Sequence, residues 1–221
     1  MLKKWFQAGF YKIVSPIVGL LIRLGISPNM ITILGVLANV VALYYFWKSS
    51  QIQPRFDAFG ALAAAGGWVL VGGIFDVLDG RLARITGSES RAGALFDSVL
   101  DRYAEWIMFL GLGLFARFHA GWTMEIGVFV ALMGSVMVSY TRARVEGLQG
   151  DPPGGLFQRP ERIVILGVGS TLVGLLGFLF GIDDQLLVSI LEGLIWVVAV
   201  GAMGTAAYRL WAGYRSLKRT L

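Results

Sequence analysis

Long apolar stretches dominate this chain and restrict the folds that are open to it. Of its 221 residues, 56% are hydrophobic and only 15% are charged, whereas a soluble domain carries about 25% charged residues. A helix that spans a bilayer needs about 20 mostly apolar residues. The sequence therefore predicts an all-α membrane protein with six transmembrane helices, at 29–48, 57–82, 93–117, 121–146, 160–181 and 185–213.

The distribution of basic residues predicts the orientation of these helices. If both termini are cytosolic, the outer side holds only Lys48, Arg55 and Arg117, and the other 16 of the 19 lysines and arginines lie on or near the cytosolic face. This asymmetry follows the positive-inside rule. We therefore expect a multi-pass protein of the cytoplasmic (inner) membrane with both termini in the cytosol.

The N-terminal segment has a different pattern from the spanning stretches. Residues 2–24 place aromatic side chains such as Trp5 on one helical face and lysines such as Lys12 towards the headgroups, which is typical of an amphipathic helix lying in the membrane interface. A partly buried connecting helix is the alternative. We expect residues 1–26 to form this juxtamembrane segment and residues 27–221 to form one membrane domain.

Four carboxylates, those of Asp76, Asp79, Asp97 and Asp101, lie in or beside apolar helical stretches. Insertion of one ionisable residue at the centre of a membrane helix costs roughly 2.5–3.5 kcal/mol, so such residues are usually functional. Side chains three or four positions apart share a helix face. The first two aspartates should therefore face the last two across a short cytosolic connection.

Facing carboxylates repel each other unless cations neutralise them. With no cysteine and a single histidine in the chain, the ligands must be oxygens, which favour Mg²⁺ or Mn²⁺. Two divalent ions could neutralise the four acids and clamp a pyrophosphate. Two alternatives remain open, an internal salt-bridge network with Arg81, Arg84 or Arg102, and a divalent-cation carrier or channel. Against a carrier, the acids lie at one membrane face and no acidic series continues to the other.

The run from Asp76 to Asp101 resembles the signature of the CDP-alcohol phosphotransferase family: two aspartates, a glycine, an alanine–arginine pair, a gap, a second glycine and two more aspartates. Every position is filled, by Asp76, Asp79, Gly80, Ala83, Arg84, Gly93, Asp97 and Asp101. The Ser-Pro-Asn-Met-Ile-Thr segment before the first spanning helix and the six-helix layout extend the resemblance over most of the chain.

The resemblance implies an enzyme that displaces CMP from a CDP-linked lipid, diacyl or ether, when an acceptor alcohol attacks the lipid-bearing phosphorus. It implies that Asp76, Asp79 and Asp97 bind metal, and that Asp101 completes the metal site and acts as general base. The expected nucleotide-binding residues are Asp76, Gly80, Ala83, Arg84, Gly93, Asn29 and Thr32. The family is generally homodimeric, and the expected partners are the lipid, the acceptor and the membrane, without nucleic acid.

The acceptor is indicated by basic residues later in the chain. Ser139, Arg142, Arg162 and Arg209 would form part of a basic rim around the mouth of the bundle, which suits a phosphorylated, water-soluble polyol because arginine binds phosphate bidentately. The positive-inside pattern alone explains part of this charge.

The motifs Ser-Tyr-x-Arg-Ala-Arg-x-Glu and Arg-Pro-Glu-Arg are similar to the branch of the family that makes phosphatidylinositol phosphate from inositol phosphate. Arg142 stands where lysine is also common in that branch. Glycerol 3-phosphate, which would give phosphatidylglycerophosphate, is the alternative acceptor.

The sequence supports two further predictions, one for a histidine and one for a face of the last helix. His119 falls in a predicted outer turn, where we expect it to be solvated or interfacial. Gly201 and Thr205 form a small-residue face, which is consistent with pairing of helices or of subunits.

Overall fold

The computed structural model describes residues 15–52, 55–151 and 154–219, and the regular structure within these ranges is entirely helical. We number its seven helices in chain order. They are α1 (15–23), α2 (Pro28–Gln51), α3 (Arg55–Thr86), α4 (Arg91–His119), α5 (Trp122–Gly147), α6 (Arg159–Phe180) and α7 (Asp184–Arg219). The last six correspond to the six predicted helices, with α3 and α7 continuing further beyond their apolar stretches.

Local sequence accounts for several of the helix ends. Ser27 caps α2 by accepting a hydrogen bond from the Met30 amide, and Pro28 follows at the first helical position, where its missing N–H costs nothing. Ser90 caps α4 by accepting from the Gly93 amide at 3.0 Å. Helix α3 ends because Gly87 adopts a φ of 64°, a left-handed conformation that glycine tolerates best.

Five helices, α2, α3, α5, α6 and α7, are long and apolar enough to cross a membrane, so the chain is a multi-pass membrane protein. Helix α4 has 29 residues, but its first half carries the charged residues Asp97, Asp101, Arg102 and Glu105. A sixth crossing by α4 therefore stays a prediction.

The predicted interfacial helix lies mostly outside the described residues. In its described part, α1, Val18 packs in a cluster with Ile31 and Leu82, whereas Leu20 and Leu24 are exposed. One face of α1 thus contacts the bundle. Its position relative to a membrane interface stays a prediction.

Short connections make successive helices run in opposite directions. The starts of α2, α4 and α6 therefore lie at the same end of the bundle as the ends of α3, α5 and α7, and we call this the site end. Helix α2 packs against α3 and α4, α3 packs against α6, and α5 packs against α7.

At the opposite end of the bundle, His119 is buried, so the expectation that it is solvated or interfacial is wrong. This residue is only 9% exposed, and its Nε2 lies 2.8 Å from the Ser49 carbonyl oxygen. Its ring also contacts Phe115, with centroids 4.9 Å apart. The histidine is buried because the end of α4 packs on the end of α2, a contact between residues 70 positions apart in the chain.

The small-residue face of α7 is also occupied within the chain. The ring of Phe157 lies against Gly201, and the Phe157 amide donates to Thr205 Oγ1 at 3.3 Å. This face pairs with the segment that precedes α6, so it offers no evidence for a dimer.

We expect Gly174→Ala to destabilise the bundle, because α3 and α6 approach each other closely there. A Cβ at Gly174 would lie within 3 Å of the Phe59 carbonyl oxygen and the Ala63 amide nitrogen, which are backbone atoms that cannot rotate away. Overpacking of this kind costs about 1–3 kcal/mol. The melting temperature in detergent should fall by several degrees. Gly193→Ala is the matched control, since a Cβ there meets nothing within 4 Å, and a similar loss in both variants would contradict the explanation.

Candidate active site

Three of the four predicted carboxylates converge at the site end. One oxygen from each of Asp76, Asp97 and Asp101 lies within 4.8 Å of the others. Asp76 lies on the last turns of α3, and the other two lie one turn apart near the start of α4. The turn at Gly87 lets the three acids approach one another, but α3 and α4 do not pack along each other, because α2 packs against both.

Asp79 lies beside this cluster with a different partner. It is buried, and its Oδ2 accepts a hydrogen bond from Thr32 Oγ1 of α2 at 2.7 Å. Asp79 borders two cavities, a small one shared with Asp76 and Asp101 and a larger one shared with Asp97. The structure therefore places Asp79 between the acid cluster and the larger cavity.

Arg159, the first residue of α6, is the arginine that pairs with the cluster. Its Nη1 lies 2.8 Å from Asp76 Oδ1 and 2.7 Å from Asp101 Oδ2. The salt-bridge alternative names Arg81, Arg84 and Arg102 instead. Arg81 donates to Ser15 Oγ, Arg84 donates to the Gly80 carbonyl oxygen, and Arg102 donates to Ser98.

The charge and hydrogen bonding of the cluster fit a divalent cation. Three carboxylates and one guanidinium leave two negative charges. Asp97 Oδ1 is buried without a hydrogen-bond partner among the described residues, and a buried acceptor of this kind needs an explanation such as an ion or water. Carboxylate oxygens are the ligands that Mg²⁺ and Mn²⁺ prefer.

A cavity of about 420 Å³ opens beside the acids, between the start of α2 and the facing ends of α3 and α4. Five of the predicted nucleotide-binding residues line it, together with Asp79 and Asp97: Asn29, Thr32, Gly80, Ala83 and Gly93. Asp76 lines the smaller neighbouring cavity instead. The Arg84 side chain is exposed. It lies near the same wall of the cavity, since its Nη2 would be 3.9 Å from a Cβ at Gly80.

The four predicted acceptor residues come from α5, α6 and α7. Arg142 is exposed and pairs with Glu146 at 2.9 Å, and Ser139 is half-buried one turn earlier. Arg209 is buried and donates to the carbonyl oxygens of Val138 and Gly154. Arg209 bonds to Val138, the residue before Ser139, and the Phe157 that Arg162 contacts donates to Thr205, one turn before Arg209. The three arginines therefore lie on the same side of the site end.

Arg162 is the most buried member of this group, with no exposed surface. Its Nε donates to Glu105 Oε1, and its Nη1 donates to the Phe157 carbonyl oxygen, both at 2.8 Å. The sequence interpretation overlooked Glu105, although its position four residues after Asp101 continues the acidic series of α4. That spacing was the signal that could have identified it.

Comparison with known proteins gives one consistent family. The sequence model of the CDP-alcohol phosphatidyltransferase family matches residues 25–203. Phosphatidylinositol phosphate synthase of Mycobacteroides abscessus is 34% identical over 206 residues, which cover 92% of this chain and 84% of that protein.

The similarity extends to solved structures. The crystal structure of Mycobacterium tuberculosis phosphatidylinositol phosphate synthase with CDP-DAG bound superposes with a TM-score of 0.77 at 31% identity, covering 93% of this chain and 95% of the other. A structure of that enzyme with manganese and citrate gives the same TM-score and identity, with coverages of 92% and 90%.

We expect Asp97→Asn to weaken Mn²⁺ binding, because it replaces a carboxylate of the cluster whose Oδ1 makes no hydrogen bond with the described residues. The loss of affinity should be on the order of 10–100-fold, the range seen when even outer-shell groups of metal sites are changed. Titration followed by the electron paramagnetic resonance signal of free Mn²⁺ measures it. Asp151→Asn is the control, since Asp151 is exposed and lies outside the cluster. Equal binding by Asp97→Asn and wild-type protein would contradict the assignment.

Proposed function

Because the chain belongs to the CDP-alcohol phosphatidyltransferase family and is a transferase, we propose that it transfers the phosphatidyl or ether-lipid phosphoryl group of a CDP-linked lipid to a phosphorylated polyol. Inositol phosphate is the proposed acceptor, and CMP is the other product. The observation that carries this proposal is the position of the acid cluster, which adjoins a cavity lined by the expected nucleotide residues.

The cavity between α2, α3 and α4 is the proposed site for the cytidine diphosphate group. Its volume of about 420 Å³ is in the range of small-molecule pockets. Gly80 and Gly93 present no side chain to it, so a nucleotide can lie against the helix backbone at these two positions. The exposed guanidinium of Arg84 supplies positive charge for the phosphates at this wall.

Asp76, Asp97 and Asp101 are the proposed metal ligands, with Asp79 at the side that faces the nucleotide cavity. Bound Mg²⁺ or Mn²⁺, two ions when the site is full, would supply positive charge that stabilises the pyrophosphate oxygens during transfer. Arg159 touches one oxygen of Asp76 and one of Asp101, which leaves the second oxygen of each carboxylate for another ligand. This division of oxygens supports the proposal that the cluster holds metal while the ion pairs persist.

Asp101 is the proposed general base. Its carboxylate takes the proton of the acceptor hydroxyl, and the acceptor oxygen forms a bond to the lipid-bearing phosphorus. The bond from that phosphorus to the oxygen of CMP breaks, and CMP leaves with the electron pair. A positioned base of this kind contributes typically 10²–10⁴-fold to a rate.

Ser139, Arg142, Arg162 and Arg209 are the proposed ligands of the acceptor phosphate. The three guanidinium groups come from three helices, and a dianionic phosphate would accept charge-assisted hydrogen bonds from them. A free polyol would offer no such charge. The concentration of arginines therefore supports a phosphorylated acceptor.

The basic residues at the site end also support a cytosolic active site in an inner membrane, with both termini cytosolic. Assembly as a homodimer stays part of the proposal, with no particular face assigned to it.

The acceptor is tested by a CMP-release assay with one CDP-linked lipid and four acceptors in turn: inositol phosphate, glycerol 3-phosphate, free inositol and serine. We expect release to require both the lipid and a divalent metal and to be fastest with inositol phosphate. A preference for glycerol 3-phosphate would replace the acceptor but keep the reaction. Manganese flux through liposomes without any CDP-lipid, and no CMP release, would favour the cation-carrier alternative.

We expect Asp101→Asn to lower the rate of CMP release by about 10²–10⁴-fold at saturating Mn²⁺, because the amide cannot take the acceptor proton. The melting temperature should stay near the wild-type value, since asparagine fills the same space. Asp184→Asn, at the opposite end of the bundle, should release CMP at the wild-type rate. Wild-type CMP release by Asp101→Asn would show that another group is the base.

A further inference from the structure

Glu105 forms a buried polar junction between three helices. It is 4% exposed and lies on α4, one turn beyond Asp101. Its Oε1 accepts hydrogen bonds from Arg162 Nε of α6 at 2.8 Å and from Ser135 Oγ of α5 at 3.1 Å. Arg162 Nη2 also lies 2.8 Å from the same oxygen.

The contacts of Arg162 fix the orientation of its guanidinium but use only some of its N–H donors. Nε is bonded to Glu105 and Nη1 to the Phe157 carbonyl oxygen. Nη2 is buried and makes no hydrogen bond with the described residues. A guanidinium has five N–H donors in a rigid plane, so two fixed contacts orient the donors that remain.

Stability alone is a weak explanation for this junction. Burying an ion pair requires removing both charges from water, and apolar residues of the same volume are often as stabilising or more so. The position of the pair is more informative. Glu105 follows Asp101 by one turn on α4, and Arg162 follows Arg159 by one turn on α6, so the pair joins the two helices that carry the proposed base and its arginine partner.

We infer that Glu105 is a positioning residue for the acceptor phosphate: its ion pair holds Arg162 so that the N–H donors of Nη2, which make no hydrogen bond with the described residues, face the phosphate. This inference rests on the proposed function, but it concerns the phosphate group and not the rest of the acceptor. Further hydrogen bonds from Ser135 to Glu105 and from Arg162 to the Phe157 carbonyl oxygen keep the pair from rotating.

Two nearly isosteric variants separate this role from a structural one. Glu105→Gln keeps an oxygen that can accept from Arg162 Nε, and Glu105→Leu removes it. We expect the KM for inositol phosphate to rise by about tenfold in Glu105→Gln, because the acceptor of the hydrogen bond loses its charge, and further in Glu105→Leu, because the hydrogen bond is lost. The KM for the CDP-linked lipid and kcat should stay within about twofold, because neither Glu105 nor Arg162 lines the nucleotide cavity.

Glu125→Gln is the matched control, because Glu125 also pairs with an arginine, Arg117, but at the opposite end of the bundle. It should leave both KM values unchanged. If Glu105→Leu does not fold, Glu105→Gln decides the question.

An unchanged or lowered KM for the acceptor in folded Glu105→Gln would overturn the inference. A fall in kcat and a rise in both KM values that follow a lower melting temperature would also overturn it, because these changes together would indicate a structural role only. If wild-type protein prefers glycerol 3-phosphate, the same variants are measured with that acceptor. Failure of the acceptor proposal and failure of the positioning role are thereby distinguished.

Discussion

Repulsion among three carboxylates is the constraint around which the site end is built. Two unit charges 4.8 Å apart repel by roughly 3–4 kcal/mol at an effective dielectric constant of about 20, and the cluster contains three such pairs. Arg159 offsets part of this energy through its contacts with Asp76 and Asp101. One positive charge cannot balance three negative ones, so the cluster keeps a net negative charge that a divalent cation would neutralise.

The same end of the bundle carries two opposite electrostatic regions that share α4 and α6. The acids and the nucleotide cavity lie between the end of α3 and the starts of α2 and α4, and the arginine group lies at the start of α6 and the ends of α5 and α7. The first turn of α6 connects the two regions, since it carries Arg159 towards the acids and Arg162 towards the arginines. A nucleotide with a metal-neutralised pyrophosphate and an acceptor with its own phosphate could therefore bind side by side with their charges matched separately.

Much of the site could be predicted because it depends on helical periodicity. The spacing of three and four residues between the aspartates fixed which side chains share a face, and the apolar stretches located the six helices within a few residues. Periodicity does not determine which carboxylate oxygens meet across a helix pair. That is why Asp79, bonded to Thr32, lies apart from the three-acid group although it shares a face with Asp76.

The contacts that were missed are those between residues far apart in the sequence. Arg159 lies 83 positions from Asp76, and no local pattern pairs them. His119 was expected at a surface because it follows a spanning stretch, and the packing of α4 on α2 buried it. Arg162 was predicted in the basic rim, but its burial against Glu105 depends on the tertiary arrangement of α4 and α6.

The central claim is that Asp76, Asp97 and Asp101 form a divalent-metal site at the edge of a nucleotide cavity. Anomalous diffraction from crystals of this protein grown with Mn²⁺ and CMP tests it most directly. We predict an anomalous peak within bonding distance of all three carboxylates, about 2.0–2.3 Å from their oxygens, with the nucleotide in the adjoining cavity. Ordered carboxylates that still pair with Arg159, with the manganese peak elsewhere in the molecule, would contradict it.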